Sequence, residues 1–251
     1  MALDKEFSFS TIGIVHSCFK EKFGVPRQPG LVPASTAQLE LLPPYNRVEA
    51  VEGLQHVSHI WLQFIFHEFL GQAWKPTVRP PRLGGNKRMG VFATRSPVRP
   101  NALGLSVVKL ERIETNGAQV ILHLSGIDLI DGTPVVDIKP YVPYVDCIDE
   151  AKNNFANEAP EPLAVTFSSE AEQACQHCSA RHSTDVAALI VQVLQQDPRP
   201  SYQAFDAERT YGMKLLDVDV QWQYRQDMGS KEQLVDRIEV VALTPLANHT
   251  T

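Results

Sequence analysis

The side chains best able to do chemistry crowd into one stretch of this chain. Between Phe69 and Leu110 stand eight cations (Lys75, Arg79, Arg82, Lys87, Arg88, Arg95, Arg99 and Lys109) and no Asp or Glu. The 251-residue chain carries a formal net charge of -6, so these cations are gathered against the overall balance. Such a cluster attracts an anionic partner, and a scatter of solvated surface cations is the competing reading on charge alone. The setting favours a site. Arg79–Ser106 places a short strand-like run, Met89–Thr94, between Pro80-Pro81-Arg82-Leu83-Gly84-Gly85-Asn86 and Ser96-Pro97-Val98-Arg99-Pro100-Asn101. Loops stiffened by proline and relieved by glycine are poor core material but suit a scaffold that holds polar groups in place.

A second chemical candidate is Cys175-x-x-Cys178, with His177 and His182 close by. That spacing invites zinc, but no second ligand pair stands at finger spacing and the segment reads as helix. The expectation is no metal, with all four cysteines as free thiols. No G-x-G-x-x-G follows a strand, and there is no P-loop and no H-E-x-x-H. The N-terminus lacks the basic and apolar regions of a signal peptide. The longest apolar run, Ile60–Phe66, is too short to span a bilayer. A cytoplasmic protein without a membrane segment is expected.

The elements that must position these residues are mostly strands. Phe7–Val15 reads as a first strand, Cys18–Gly30 as a loop and Leu39–Leu42 as a short strand before Pro43-Pro44. In Val57–Phe66, Ile60, Leu62, Phe64 and Phe66 share one face while His59, Trp61, Gln63, Ile65 and His67 share the other. That is the pattern of a half-covered strand. Leu105–Glu114 and Ala118–Ser125 form a hairpin over Asn116-Gly117, and Asp131-Gly132 turns between Ile127–Ile130 and Pro134–Ile138. Strands at hairpin spacing without alternating helices predict a mainly β N-terminal domain over 1–150, an antiparallel barrel or sandwich and not a doubly wound Rossmann fold. Polar Lys152–Pro162 is a linker. Ser169–Arg181 and Thr184–Gln196 read as helices, the second with Val186, Leu189, Ile190, Val193 and Leu194 at helical spacing. Leu215–Tyr224 and Leu234–Leu243 close a small α+β C-terminal domain over 163–246.

Several of these blocks together resemble the TrmO family (also called YaeB or TsaA-like). They are Lys22–Gly30 (KFGVPRQPG), Pro76–Asn86 (PTVRPPRLGGN), Gly90–Pro97 (GVFATRSP) with Arg99-Pro-Asn101 and Gly104, Asp128–Tyr141 (DLIDGTPVVDIKPY) and Asp197–Tyr202 (DPRPSY). They occur in the family's order, from about Thr11 to about Leu243. The resemblance implies an S-adenosylmethionine-dependent methyltransferase acting on N6 of threonylcarbamoyladenosine at position 37, beside the tRNA anticodon. It also implies a cofactor bound on a β-barrel and a homodimer with its site at or near the subunit interface. A non-catalytic nucleic-acid or nucleotide-binding barrel is the alternative.

Within that resemblance, cofactor binding falls to Pro26, Arg27, Gln28, His67, Glu68, Arg95, Leu105, Asp128, Leu129, Ile130 and Asp131. Arg27 or Arg95 could clamp the cofactor carboxylate bidentately, and Asp128 or Asp131 could accept from ribose or ammonium. Asp131 could equally serve its turn alone. Methyl transfer needs positioning and removal of the acceptor proton, for which Asp137, Lys139 and Asn101 are the candidates. Asp137–Lys139 as a plain salt bridge is the competing reading. Tyr141 and Tyr144 could stack a base, and Arg199 with Tyr202 could add an RNA contact.

Overall fold

The computed structural model describes residues 6–80, 87–156, 161–199, 203, 205–228 and 234–246. Arg82, Gly84, Gly85, Asn86 and Tyr202 lie outside the described residues. In chain order the first half contains β1 (Gly13–Ser17), β2 (Thr36–Leu41) and β3 (His59–Ile65). A two-residue ribbon of β4 (Thr77–Val78) and β5 (Met89–Gly90) follows. Then come β6 (Leu103–Asn116), β7 (Gln119–Ser125) and β8 (Thr133–Pro140). Without the ribbon, these strands close into an antiparallel barrel in the order β1–β2–β7–β6–β3–β8, with β8 returning to β1. The mainly β, non-Rossmann expectation holds.

Pattern and structure agree best at β3. Ile60, Leu62 and Phe64 are buried while His59, Trp61, Gln63 and Ile65 face outward. Each of the buried three adds about 1.5–3 kcal/mol by leaving water. Trp61 stands opposite Val107 and Lys139, and Gln63 opposite Leu105 and Asp137. Residues opposite one another share a face, so these six form one outer patch. The β6–β7 hairpin closes over Asn116-Gly117, with Gly117 at φ 60° as a tight hairpin turn requires.

Three strand expectations are cut back, the first because β1 begins at Gly13 and not at Phe7. Met89–Thr94 is a strand only over Met89–Gly90. A 3-10 turn then takes Val91–Ala93, and the Thr94 amide (3.1 Å) and hydroxyl (2.8 Å) both donate to the Val91 carbonyl. Residues 127–130 pair with hydroxyls instead of a sheet. Ser35 donates to the Ile127 carbonyl (3.0 Å), Ser17 to Leu129 (2.7 Å) and Thr133 to Ile130 (2.6 Å). These serine and threonine side chains satisfy carbonyls that a neighbouring strand would otherwise have to meet.

Beyond the barrel come α1 (Pro143–Asp146), β9 (Ala164–Phe167), α2 (Ser169–His182), α3 (Val186–Leu194), β10 (Thr210–Leu215), β11 (Val218–Met228) and β12 (Leu234–Pro245). The sheet order is β10–β11–β12–β9, with β9 parallel to β12 and the other pairs antiparallel. Ser168 and Asp185 cap α2 and α3 by accepting from Ala171 N (3.2 Å) and Ala188 N (2.9 Å). Helix α3 buries Val186, Leu189, Ile190, Val193 and Leu194, the residues its periodicity selects. Cys175 and Cys178 are buried, and burial pushes both thiols up to about 11. Cys178 Sγ lies 3.6 Å from an Asp217 carboxylate that both Arg181 and His182 engage. Among the described residues no helix is long and apolar enough to cross a membrane.

Candidate active site

A cavity of about 480 Å³ opens on the flank of the barrel. Its walls come from separate stretches of chain: the loop after β1, the end of β3, the turn His67–Phe69, the 94–99 loop, the start of β6 and the 128–130 segment. It gathers Pro26, Arg27, Gln28, His67, Glu68, Arg95, Leu105, Asp128, Leu129 and Ile130. Asp131 lies outside this lining. Its carboxylate accepts from the Ser17 amide (2.8 Å) and pairs with Lys20 (3.0 Å), so it serves the turn before β8.

Asp128 is the electrostatic centre. Ser106, a buried hydroxyl on β6, donates to its carboxylate at 2.7 Å. Burial pushes the acid up from 3.8 to about 6, against the lowering pull of the Ser106 hydrogen bond and the Arg95 charge. Arg95 is exposed and donates to the neutral side-chain carbonyl of Gln28. Arg99 donates to the carbonyls of Thr94 (2.8 Å) and Ser96 (3.4 Å), which fixes the loop carrying Arg95. Arg27 donates to the Asp197 carbonyl (3.2 Å). Glu68 pairs with Lys22 (3.1 Å), and Lys22 also stands 4.3 Å from the Phe69 ring centroid. The remaining wall is apolar, with Phe64, Phe66, Leu103, Leu105 and Leu129.

Gly104 permits this packing. It faces Phe64 across the β3–β6 pair, and a Cβ there would lie 2.2 Å from the ring's Cζ. The ring occupies the space that any other residue at position 104 would fill.

The three catalytic candidates are not gathered at the cavity. Asp137 and Lys139 form an ion pair with side chains 41% and 59% exposed, on the outer patch beside Gln63 and Trp61. Asp137 instead borders a second concavity, with Tyr45, Leu54 and Pro140. Asn101 is exposed in the loop before β6 and outside both linings. Arg199 is not a free cation either. Only 13% exposed, it bonds Asp197 and Asp236 and lies 4.3 Å from the Tyr224 ring centroid, which commits it to the C-terminal sheet. Tyr144 is exposed, while Tyr141 packs near Trp61 with ring centroids 6.0 Å apart.

Ser106 went unread in the sequence. The signal was there: it occupies the inward set of β6 with Val108 and Leu110, and a lone hydroxyl among buried apolar positions needs a partner. The phenylalanines at the end of β3 were read as core only, and they also wall the cavity.

A closed antiparallel barrel whose flank cavity is lined by a half-buried carboxylate and three arginines is a class of protein distinct from a doubly wound nucleotide fold. The chain belongs to the TrmO family: the model of the tRNA-methyltransferase O N-terminal domain matches residues 14–147 and that of the TrmO C-terminal domain matches residues 160–242. Among its relatives is the tRNA (adenine(37)-N6)-methyltransferase of Escherichia coli. The two are 47% identical over 218 residues, 86% of this chain and 92% of the relative. A Pseudomonas aeruginosa protein, provisionally named an S-adenosylmethionine-dependent methyltransferase, is 53% identical over 86% of this chain and 92% of its own length. The crystal structure of TrmO from Pseudomonas aeruginosa superimposes with a TM-score of 0.79 at 44% identity, covering 95% of this chain and 98% of that one.

Proposed function

We propose that this protein is an S-adenosylmethionine-dependent methyltransferase that methylates N6 of threonylcarbamoyladenosine at position 37 of tRNA. The observation that carries the reading is the convergence of the Asp128–Ser106 pair, Arg95 and an apolar wall in one cavity, within a chain of the TrmO family. The cavity falls in the range of small-molecule sites, and its donor set suits an amphoteric nucleoside. Asp128 accepts from ribose hydroxyls or an ammonium. Arg95 leaves the neutral Gln28 amide for a carboxylate, exchanging a neutral acceptor for a charged one. Leu105, Leu129 and Pro26 offer apolar area to a base.

When bound, the cofactor supplies an electrophilic methyl group on sulfonium. The protein's own work is then mainly positional, because in-line transfer gains most from alignment and exclusion of water. Asp137 and Lys139 share the outer face with Trp61, which also lines the cavity, so a base resting on that face meets them. There Asp137 takes or guides the N6 proton while Lys139 steadies the charge that develops, and Asn101 orients the base from its loop. Leu105, 52% exposed beside the outward residues of β3, belongs to the barrel surface through which two copies pair. Lys75, Arg79, Lys87 and Arg88 give the anticodon loop its landing charge, and the α+β C-terminal domain adds further contact.

Mass spectrometry of tRNA nucleosides tests the reading. A strain lacking the gene should lose the methylated nucleoside and accumulate its threonylcarbamoyl precursor. An unchanged nucleoside profile contradicts it.

A further inference from the structure

The cavity loop does not stand on the barrel alone. β10 is an edge strand of the C-terminal sheet, and the chain just after β1 covers that edge. Phe19 bridges Leu215, Lys20 N donates to the Lys214 carbonyl (3.3 Å), and Leu216 N donates to the Cys18 carbonyl (2.8 Å). Lys214 N also donates to the Glu21 carboxylate at 2.9 Å. Immediately beyond, the Phe23 ring stacks on Trp222, with centroids 5.8 Å apart and planes 8° apart. Trp222 is fully buried and stacks in turn on Tyr211. Gly24, at φ 90°, lies so close to Met213 that a Cβ would sit 2.6 Å from its Sδ. The last tether is the Arg27 hydrogen bond to the Asp197 carbonyl, and the Asp197 side chain is itself fixed by Tyr224 Oη at 2.7 Å.

The cavity wall at 25–28 follows directly on Phe23 and Gly24, and its own Arg27 carries the last tether. Gln28 is the acceptor for Arg95, so the position of the C-terminal sheet reaches the arginine through one hydrogen bond. A group held by rigid packing behind the lining keeps the lining in productive geometry, and a small displacement there costs affinity.

We infer that Phe23 and Trp222 are positioning residues for the cofactor cavity. Through their stack the C-terminal sheet sets cofactor affinity, separately from any contact it makes with RNA. The inference rests on the cofactor reading above. It predicts that loosening the stack raises the KM for S-adenosylmethionine while sparing both kcat at saturating cofactor and the KM for tRNA, a split that general loss of structure does not produce.

The test titrates full-length protein with S-adenosylmethionine by calorimetry, alongside kinetics and thermal unfolding. Phe23→Ala should bind the cofactor about tenfold more weakly, and Phe23→Tyr, which keeps the ring, should stay within twofold of wild type. Should Phe23→Ala not fold, Phe23→Leu keeps the apolar volume without the stacked plane and should lose about fivefold. Val165→Ala, on β9 in the same sheet, loosens the core away from the loop and should leave cofactor affinity unchanged. Wild-type affinity in both Phe23→Ala and Phe23→Leu overturns the inference, as does an equal loss in Val165→Ala. A wild-type protein that binds no cofactor instead removes the cofactor reading itself, and the inference with it.

Discussion

Replacing Asp128 by Asn removes a half-buried charge while keeping the shape of the side chain, and its two consequences should run in opposite directions. Burial raises the carboxylate from 3.8 to about 6, so the folded chain holds this proton more tightly than the unfolded one. Folding takes up a proton between those values. Stability is therefore lost as the pH rises through that window and stays reduced above it. At 1.36 kcal/mol per unit, a rise of about two units costs on the order of 2–3 kcal/mol at pH 8. Asn carries no charge, and its side-chain carbonyl can still accept from Ser106 at the present 2.7 Å geometry. The variant should thus be more stable than wild type by about 2 kcal/mol at pH 8, with roughly half that gain at pH 5. Cofactor affinity should move the other way. Losing a charged acceptor costs about 1.5–3 kcal/mol, or tenfold to a hundredfold. Wild-type affinity should also decline below pH 6 as Asp128 protonates, and the variant should not share that decline. Urea unfolding and calorimetric titration at both pH values read the two effects. A variant that binds cofactor as tightly as wild type refutes the role of Asp128 as acceptor. One that is less stable at pH 8 refutes the burial cost.

Arg95→Ala should weaken cofactor binding by on the order of 2 kcal/mol with the fold intact, because Arg95 is exposed and, among the described residues, its hydrogen bond goes to the Gln28 side chain; titration that finds unchanged affinity sinks the clamp. Binding of tRNA should fall steeply with salt, roughly one power of salt per phosphate neutralised, and Lys87→Glu should flatten that slope while Lys152→Glu, the same charge change in the linker, should not. A wild-type slope in Lys87→Glu, read from labelled tRNA at two salt concentrations, would make that part of the patch structural. Sedimentation at micromolar concentration should give a dimer, and a monomer there counts against the pairing surface.

What the sequence disclosed depended on the range over which each signal acts. β3, the Asn116-Gly117 hairpin and the two capped helices were readable because alternation, turn chemistry and helical periodicity are local. β9 escaped notice because Ala164–Phe167 is only four residues long and finds its parallel partner, β12, some seventy residues later. β10 carried an unbroken alternation, with Tyr211, Met213 and Leu215 buried, but it is only six residues long and holds Gly212, a poor strand former, on its exposed face. Gly212 serves the fold by leaving room for Asp219, whose carboxylate oxygen would lie 3.0 Å from a Cβ there. At the site, ten of the eleven residues chosen for the cofactor line the cavity, while Asp131 does not, though Asp128 and Asp131 stand in one block. That distinction rests on what surrounds each one: Ser106 and burial for the first, Lys20 and the Ser17 amide for the second. Arg199 misled for the same reason. As a residue type it reads as a surface cation, and only the tertiary fold surrounds it with Asp197, Asp236 and Tyr224.

This barrel should transfer a methyl group from S-adenosylmethionine to N6 of a threonylcarbamoyl-modified adenosine. The most direct test combines purified protein, S-adenosylmethionine and tRNA bearing that modification, followed by mass spectrometry of the digested nucleosides. The modified adenosine at position 37 should gain the mass of one methyl group, and Asp128→Asn should form the product more slowly at low cofactor concentration. A modified nucleoside that gains no methyl mass while the protein demonstrably binds the cofactor would contradict this reading.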